Sequence, residues 1–236
     1  MRKLLGIFAH PDDESVACGG TIAKYAKNDW QIDFVTATRG DKGGDPDIRT
    51  KELEEAAGIL GVRSITFLDF KDGKLSGMTP GEIEDALVKV LTQVRPDVVI
   101  THEPQGITNH PDHIRMSYAA TFAFQEYAKD YDEAKLYYAC FPETIMSYLV
   151  KTKRFPFEHH GRPVHGMEDK RITTVIDIKR FAGTKRKALK SHSTQRSILE
   201  KYLNNDQFFR QEYFVLRMVG LQEVFLGKND RISDRL

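Results

Sequence analysis

The sequence predicts an α/β fold: a Rossmann-like, mostly parallel sheet flanked by helices, in a single domain with an irregular C-terminal third. Three observations predict it. Short apolar runs rich in β-branched residues alternate with longer amphipathic stretches, those stretches keep a helical period, and turn signals separate the two. Strand, helix, strand at this spacing implies right-handed βαβ units, with parallel strands covered on both faces.

Leu4 to Ala9 reads as the first strand, followed by Ile32 to Ala37, Ile65 to Leu68 and Val98 to Thr101. Leu53, Ala56, Ala57 and Leu60 share one helical face, which Gly61 ends. Ile83, Ala86, Leu87, Val90, Leu91 and Val94 share another. Beyond residue 150 the pattern loosens. Lys151 to Lys170 is basic, carries Pro156, Gly161, Pro163 and Gly166 with three histidines, and is expected to be a long loop. Ile172 to Ile178 reads as a further strand, and a helix is expected from Lys185 to Leu203. A length of 236 residues suits one domain spanning 1–236.

Composition narrows the function classes. With 35 basic against 34 acidic residues the net charge is +1, which gives no global case for nucleic acid or an anionic membrane surface. No apolar run approaches the ~18 residues of a membrane span. The N-terminus enters a strand-like run without a signal-peptide pattern. Cys18 and Cys140 are too few for a disulfide framework, so they read as small core residues and the expected location is cytoplasmic.

The first strand ends in KLLGIFAHPDDES, residues 3–15, where His10 and Pro11 precede Asp12, Asp13 and Glu14. Ligands of open parallel sheets bind where strands end at the carboxyl edge. An imidazole and a carboxylate are natural zinc ligands, and a divalent cation would cancel the repulsion among adjacent acids. His10 and Asp13, three residues apart across a tight turn, can face one point, with Asp12 between them and off the metal. A plainer reading is a capping cluster for the helix that follows, and the two are compatible.

The fourth strand repeats the pattern: Asn109, His110, Pro111, Asp112 and His113 lead into a helix carrying Ala119, Ala120, Ala123 and Tyr127. If strands one and four are neighbours, His113 comes beside His10 and Asp13. Two strand exits with His-Pro-Asp make a strong signal where one would be weak.

In order and spacing, AHPDDES followed by Gly19 and Gly20, then TRGDKGG, RTKELEEAAGILG, THEPQGITNHPDH and KRKALKSHSTQ, resemble the LmbE-like (PIG-L) zinc-dependent N-acetylglucosamine deacetylases. The likeness spans about residues 3–200. It implies one Zn2+ per chain, with other divalent transition metals suiting the same ligands, and hydrolysis of an N-acyl group from a small-molecule amino sugar. Carried over by position, the metal ligands would be His10, Asp13 and His113. Asp12 would be the general base for a metal-activated water, and a protonated His110 would stabilise the developing oxyanion. Arg49, in RxxE with Glu52, matches a sugar-contacting arginine. The resemblance also leaves room for a homo-oligomer. Two positions depart from the pattern: Asp41 stands where glutamate is usual, and Thr108 where some members carry a tyrosine.

Other candidates are local. His192 and Gln195 fall on the inward face of the expected late helix and resemble the family's HxxQ, either ordering a metal ligand or filling the core. Asp72 reaches substrate hydroxyls or simply makes the turn before Gly73. His159, His160 and His165 read as solvated loop residues, though that loop, with Phe155 and Phe157, has the length to fold over a pocket. Rival functions share parts of this set: an amidase on a thiol conjugate or other acyl-amine, a metal-dependent phosphoesterase, or an inactive sugar-binding module that retains the metal.

Overall fold

A computed structural model describes residues 1–224 and 233–236. The chain opens with β1 (Lys3–Phe8), α1 (Asp13–Lys27), β2 (Gln31–Thr38), α2 (Pro46–Leu60), β3 (Ser64–Phe70), α3 (Glu82–Val94) and β4 (Val98–His102). A one-turn segment α4 (Gly106–Asn109) leads to α5 (Pro111–Ala128), β5 (Lys135–Cys140) and α6 (Glu143–Lys151). A small hairpin, β6 (Glu158–His159) and β7 (Arg162–Pro163), precedes β8 (Thr174–Asp177), α7 (Ala182–Ser191), α8 (Arg196–Leu203), β9 (Gln211–Val219) and β10 (Gln222–Glu223).

The main sheet runs β10-β9-β5-β4-β1-β2-β3, with β8 also paired to β9. Strands β1 to β5 are parallel, and β9 turns antiparallel against β5. The strand order reverses between β1 and its two neighbours, β2 and β4, so the exits of β1 and β4 share one crevice. Burial on both faces explains the near-continuous apolar run of β1. Leu4 and Phe8 enter one core with α1, α2 and α7 residues, while Leu5, Ile7 and Ala9 enter the other with α3 and α5 residues.

Helix α1 is broken at Cys18, where φ is −149°. Two buried side chains from the C-terminal third satisfy the break. Lys185 Nζ donates to the Val16 carbonyl at 3.0 Å, and the Glu212 carboxylate accepts from the Gly20 and Thr21 N–H groups at 2.9 and 2.6 Å. Lys185 and Glu212 pair with each other at 2.6 Å. Close packing at the break demands glycine, since a Cβ on Gly20 would come within 2.5 Å of Ile178.

Two expectations need revision. The helix expected from Lys185 to Leu203 is two helices, interrupted at His192 and by a turn of 3-10 helix over Ser193–Gln195. Glu52 on α2 holds that interruption by accepting from Ser193 Oγ, Thr194 N and Thr194 Oγ1. The strand expected over Ile172 to Ile178 forms as β8, and β9, where no strand was expected, extends the sheet beside it, brings Glu212 to α1 and places Phe214 in the core. Strands β5 and β9 were not legible as separate runs.

Candidate metal centre

At the exit of β1 the backbone reverses through Asp12, whose φ of 113° lies where side chains are disfavoured. Asp12 occupies the position that caps α1, yet its carboxylate makes no capping bond. Asp13 reaches back instead, its Oδ2 accepting the His10 N–H at 2.8 Å. The acids are thus directed at the histidines rather than spent on the helix start.

At the exit of β4 the chain takes a longer path. Glu103 accepts the Gln105 and Ile107 N–H groups, both at 2.6 Å, and the backbone turns left-handed at Ile107 (φ 63°) and Asn109 (φ 59°). A β-branched residue in that region is an outlier that its surroundings must enforce. His110 then caps α5, its Nδ1 accepting the Asp112 N–H at 3.2 Å, with Pro111 opening the helix.

The two exits converge. His10 Nδ1 lies 3.2 Å from His113 Nε2, His113 Nε2 lies 3.1 Å from Asp13 Oδ1, and His10 Nδ1 lies 3.7 Å from Asp13 Oδ2. The far nitrogens are held. His113 Nδ1 sits 3.2 Å from the Gly106 carbonyl, which only accepts, so it carries the hydrogen. His10 Nε2 sits 3.0 Å from Asp72 Oδ1 and 3.2 Å from Asp112 Oδ2, so it carries the hydrogen there. In the neutral rings both facing nitrogens are therefore lone pairs, aimed at each other and at a carboxylate. Such a cluster is repulsive unless a positive charge stands within it. Tetrahedral zinc, with bonds of about 2.0–2.1 Å, holds its donors about 3.3–3.4 Å apart, close to the spacing of the two histidine nitrogens. Asp13 turns Oδ1 to His113 and Oδ2 to His10, and among the described residues the sets whose donor atoms all lie within 4.8 Å of one another are His10–His110–His113, Asp13–His102–His113 and His10–Asp72–Asp112.

A proton on His10 is the other positive charge that would meet this demand. Burial pushes His10 down, but its hydrogen bonds to Asp112 and Asp72 and the charge of Asp13 outweigh this and raise its pKa to about 10. Asp13 is held well below the usual carboxylate range; burial opposes this, and the charges of His113 and His102 prevail. His102, fully buried at the end of β4, stacks on His113 at 4.2 Å between ring centroids and puts Nε2 3.2 Å from Asp13 Oδ2.

Asp12 and His110 flank this point. Burial and the adjacent Asp13 raise the Asp12 carboxyl to about 6 against the pull of Arg49. Burial, with the charges of His113 and His10, lowers His110 to about 3. The expected imidazolium at His110 is therefore not supported. The ring is neutral, Nδ1 accepts from Asp112, and Nε2 carries the hydrogen.

A cavity of about 300 Å3 opens over these groups. Arg49, only 3% exposed, lies in its wall but grips the chain: its guanidinium donates to the Pro11 and Gly40 carbonyls and reaches Asp12 Oδ2 at 3.4 Å. Asp72 is also turned inward, giving one oxygen to His10 and the other to the Lys42 N–H at 3.2 Å. Gln195 donates to the Gly43 carbonyl at 2.9 Å and so ties down the loop after β2. His192 touches no expected metal ligand; its Nε2 meets Glu14 Oε1 at 3.0 Å. The basic loop does reach the cavity. His159 Nδ1 donates to the Thr108 carbonyl at 2.7 Å, and His160 packs edge-on to His110, while His165 stays away.

Three residues beside the centre were not singled out for what they do: Asp112, His102 and Glu14. Asp112 was visible in the second His-Pro-Asp, but its bonds to His10, Gly73 N and Leu75 N come from a distant turn. His102 carried only the faint signal of a histidine at a strand exit.

The family model PIG-L, described as GlcNAc-PI de-N-acetylase, matches residues 5–124. The 1D-myo-inositol 2-acetamido-2-deoxy-alpha-D-glucopyranoside deacetylases of Thermomonospora curvata and Rhodococcus opacus are 30% and 31% identical to this chain. Each alignment covers 91% of this chain, with 90% and 91% of the respective relative. A conserved protein of Thermus thermophilus has the same fold (TM-score 0.67, 23% identity, 98% of this chain and 100% of that one). So does the N,N'-diacetylchitobiose deacetylase of Pyrococcus horikoshii (TM-score 0.66, 24% identity, 93% and 85%). The 4-carboxy-2-hydroxymuconate hydratase of Pseudomonas putida KT2440 scores 0.67 at 19% identity, over 96% and 100%. A hydratase and a deacetylase on one fold mean that the site, not the fold, must decide the reaction.

Proposed function

The chain belongs to the PIG-L family of de-N-acetylases, and on that premise we propose that it hydrolyses the N-acetyl group of an amino sugar carried as a glycoside, using one zinc ion. The observation that carries the reading is the convergence of two lone-pair nitrogens and a carboxylate beside an aspartate that makes no capping bond. The inositol glycoside in the names of the curated relatives is the natural first substrate.

His10, Asp13 and His113 would hold the ion. Zinc bound there lowers the pKa of water toward ~7 and polarises an amide carbonyl. The remaining work falls to the chain. Asp12, with a carboxyl at about 6, is ionised at neutral pH yet basic enough to take a proton from attacking water and return it to the departing amine. His110, neutral, offers its Nε2 hydrogen to the oxygen that gains charge. Asp72 and Asp112 fix the tautomer and direction of His10, the part a second layer of ligands plays at zinc sites. Arg49, committed to Pro11, Gly40 and Asp12, would meet a sugar hydroxyl only from the side of its guanidinium that faces the cavity.

We read residues 1–236 as one domain, since its described strands from both ends pair in one sheet. Buried, unpaired Cys18 and Cys140 favour a reducing, cytoplasmic setting. Among the described residues no helix is long and apolar enough to cross a membrane.

The test is amine release from the N-acetylglucosaminyl inositol glycoside. Release should stop with chelator and return with zinc. Phosphate release from a simple ester without any amine release would replace this reading with a phosphoesterase.

A further inference from the structure

Glu14 is the most deeply buried acid of the opening cluster, 1% exposed, and no role in the reaction accounts for it. It does not line the cavity. Its Oε2 accepts the Asp12 N–H at 3.0 Å. Its Oε1 accepts from Ser15 Oγ at 2.6 Å and from His192 Nε2 at 3.0 Å. His192 is itself fully buried, fixed where the chain breaks between α7 and α8. A carboxylate so placed is costly unless its bonds are made, and here both oxygens are engaged.

The residue it holds is the one that needs holding. Asp12 has a φ of 113° and a ψ of −26°, a conformation that residues other than glycine rarely adopt. Two clamps enforce it. Arg49 takes the Pro11 carbonyl and the Asp12 carboxylate on one side, and Glu14 takes the Asp12 N–H on the other. We propose that Glu14, anchored by His192, is a positioning residue for Asp12: its bond to the Asp12 N–H holds the left-handed turn that points the Asp12 carboxylate into the cavity. This rests on the reading of Asp12 as the base.

The charge of Glu14 is not what the proposal needs; its reach is. Glu14→Gln keeps an oxygen for the Asp12 N–H. Its amide can then donate to His192 Nε2 once that ring carries its hydrogen on Nδ1, a buried atom without a hydrogen-bond partner, so the shift costs stability rather than the bond to Asp12. Glu14→Asp keeps the charge but is one carbon too short to span His192 and Asp12. Expected are a kcat within about threefold of wild type for the Gln variant and about 100-fold lower for the Asp variant, both with little change in KM. Both variants should bind one zinc per chain. Amide exchange needs no turnover: the Asp12 N–H should exchange at least about tenfold faster in the Asp variant and at the wild-type rate in the Gln variant.

Equal losses of kcat in the two variants, an unchanged Asp12 exchange rate in Glu14→Asp, or zinc lost in step with activity would each overturn the proposal. Should Glu14→Asp fail to fold, His192→Gln and His192→Phe replace it. The glutamine can still donate to Glu14 and the phenylalanine cannot, so equal Asp12 exchange in that pair would overturn it too. Asp12→Asn separates the readings. If that variant keeps its turnover the base assignment fails, and the exchange data still judge the clamp.

Discussion

The exits of β1 and β4 carry the same tripeptide, His-Pro-Asp, and put it to opposite uses. After β1, His10 turns Nδ1 to the centre because Asp72 and Asp112 hold its Nε2. After β4, His110 uses Nδ1 to cap a helix and leaves Nε2 free. The aspartates differ as well. Asp12 lines the cavity with a raised pKa, whereas Asp112 is fully buried and gives its oxygens to His10, Gly73 and Leu75. A motif therefore does not set a role. The partner on the far side of each ring or carboxylate does.

Breaking the convergence should have the largest effect. His113→Ala removes the group both exits share, and zinc content should fall with activity to the detection limit, as metal analysis beside an amine-release assay would report. Next comes the difference between the aspartates. Asp12→Asn should lower kcat about 10²–10⁴-fold with zinc retained, which equal metal content and a turnover assay would check. His110→Ala should cost about 10²–10³-fold in kcat by removing one donor. It should also destabilise α5 by about 1 kcal/mol through the lost cap, visible in thermal melts. The mildest change falls on the supporting acid. Asp112→Asn should weaken zinc binding about 10–100-fold, measured by competition with a chelator, while zinc-saturated enzyme keeps most of its turnover. A loss from Asp112→Asn as deep as that from Asp12→Asn would erase the distinction between the two turns.

Much of this was legible along the chain. The four strands from Leu4 to Thr101 were marked by short β-branched apolar runs between turn signals and the helices by their period, because each packs one face or both against a core. The three expected ligands meet because their turns end adjacent parallel strands. Other features were not readable. The break at His192 depends on Glu52 reaching across from α2, and no local signal announces a partner about 140 residues away. Strand β9 hid because its residues mix polar and apolar positions, and its place is fixed by pairing with β5 and β8. Arg49 and Asp72, expected at the substrate, line the cavity and also hold backbone and imidazole, bonds that no local signal announced.

The sequence by itself determined the parallel α/β layout and the residues that crowd the two strand exits, since periodicity and residue type are properties of short segments. Tertiary structure alone decided which nitrogen of each histidine faces the centre, which aspartate stays reactive and which becomes a support. Those outcomes follow from hydrogen bonds between distant turns, and in a buried site with a low dielectric such bonds govern where protons and charge reside.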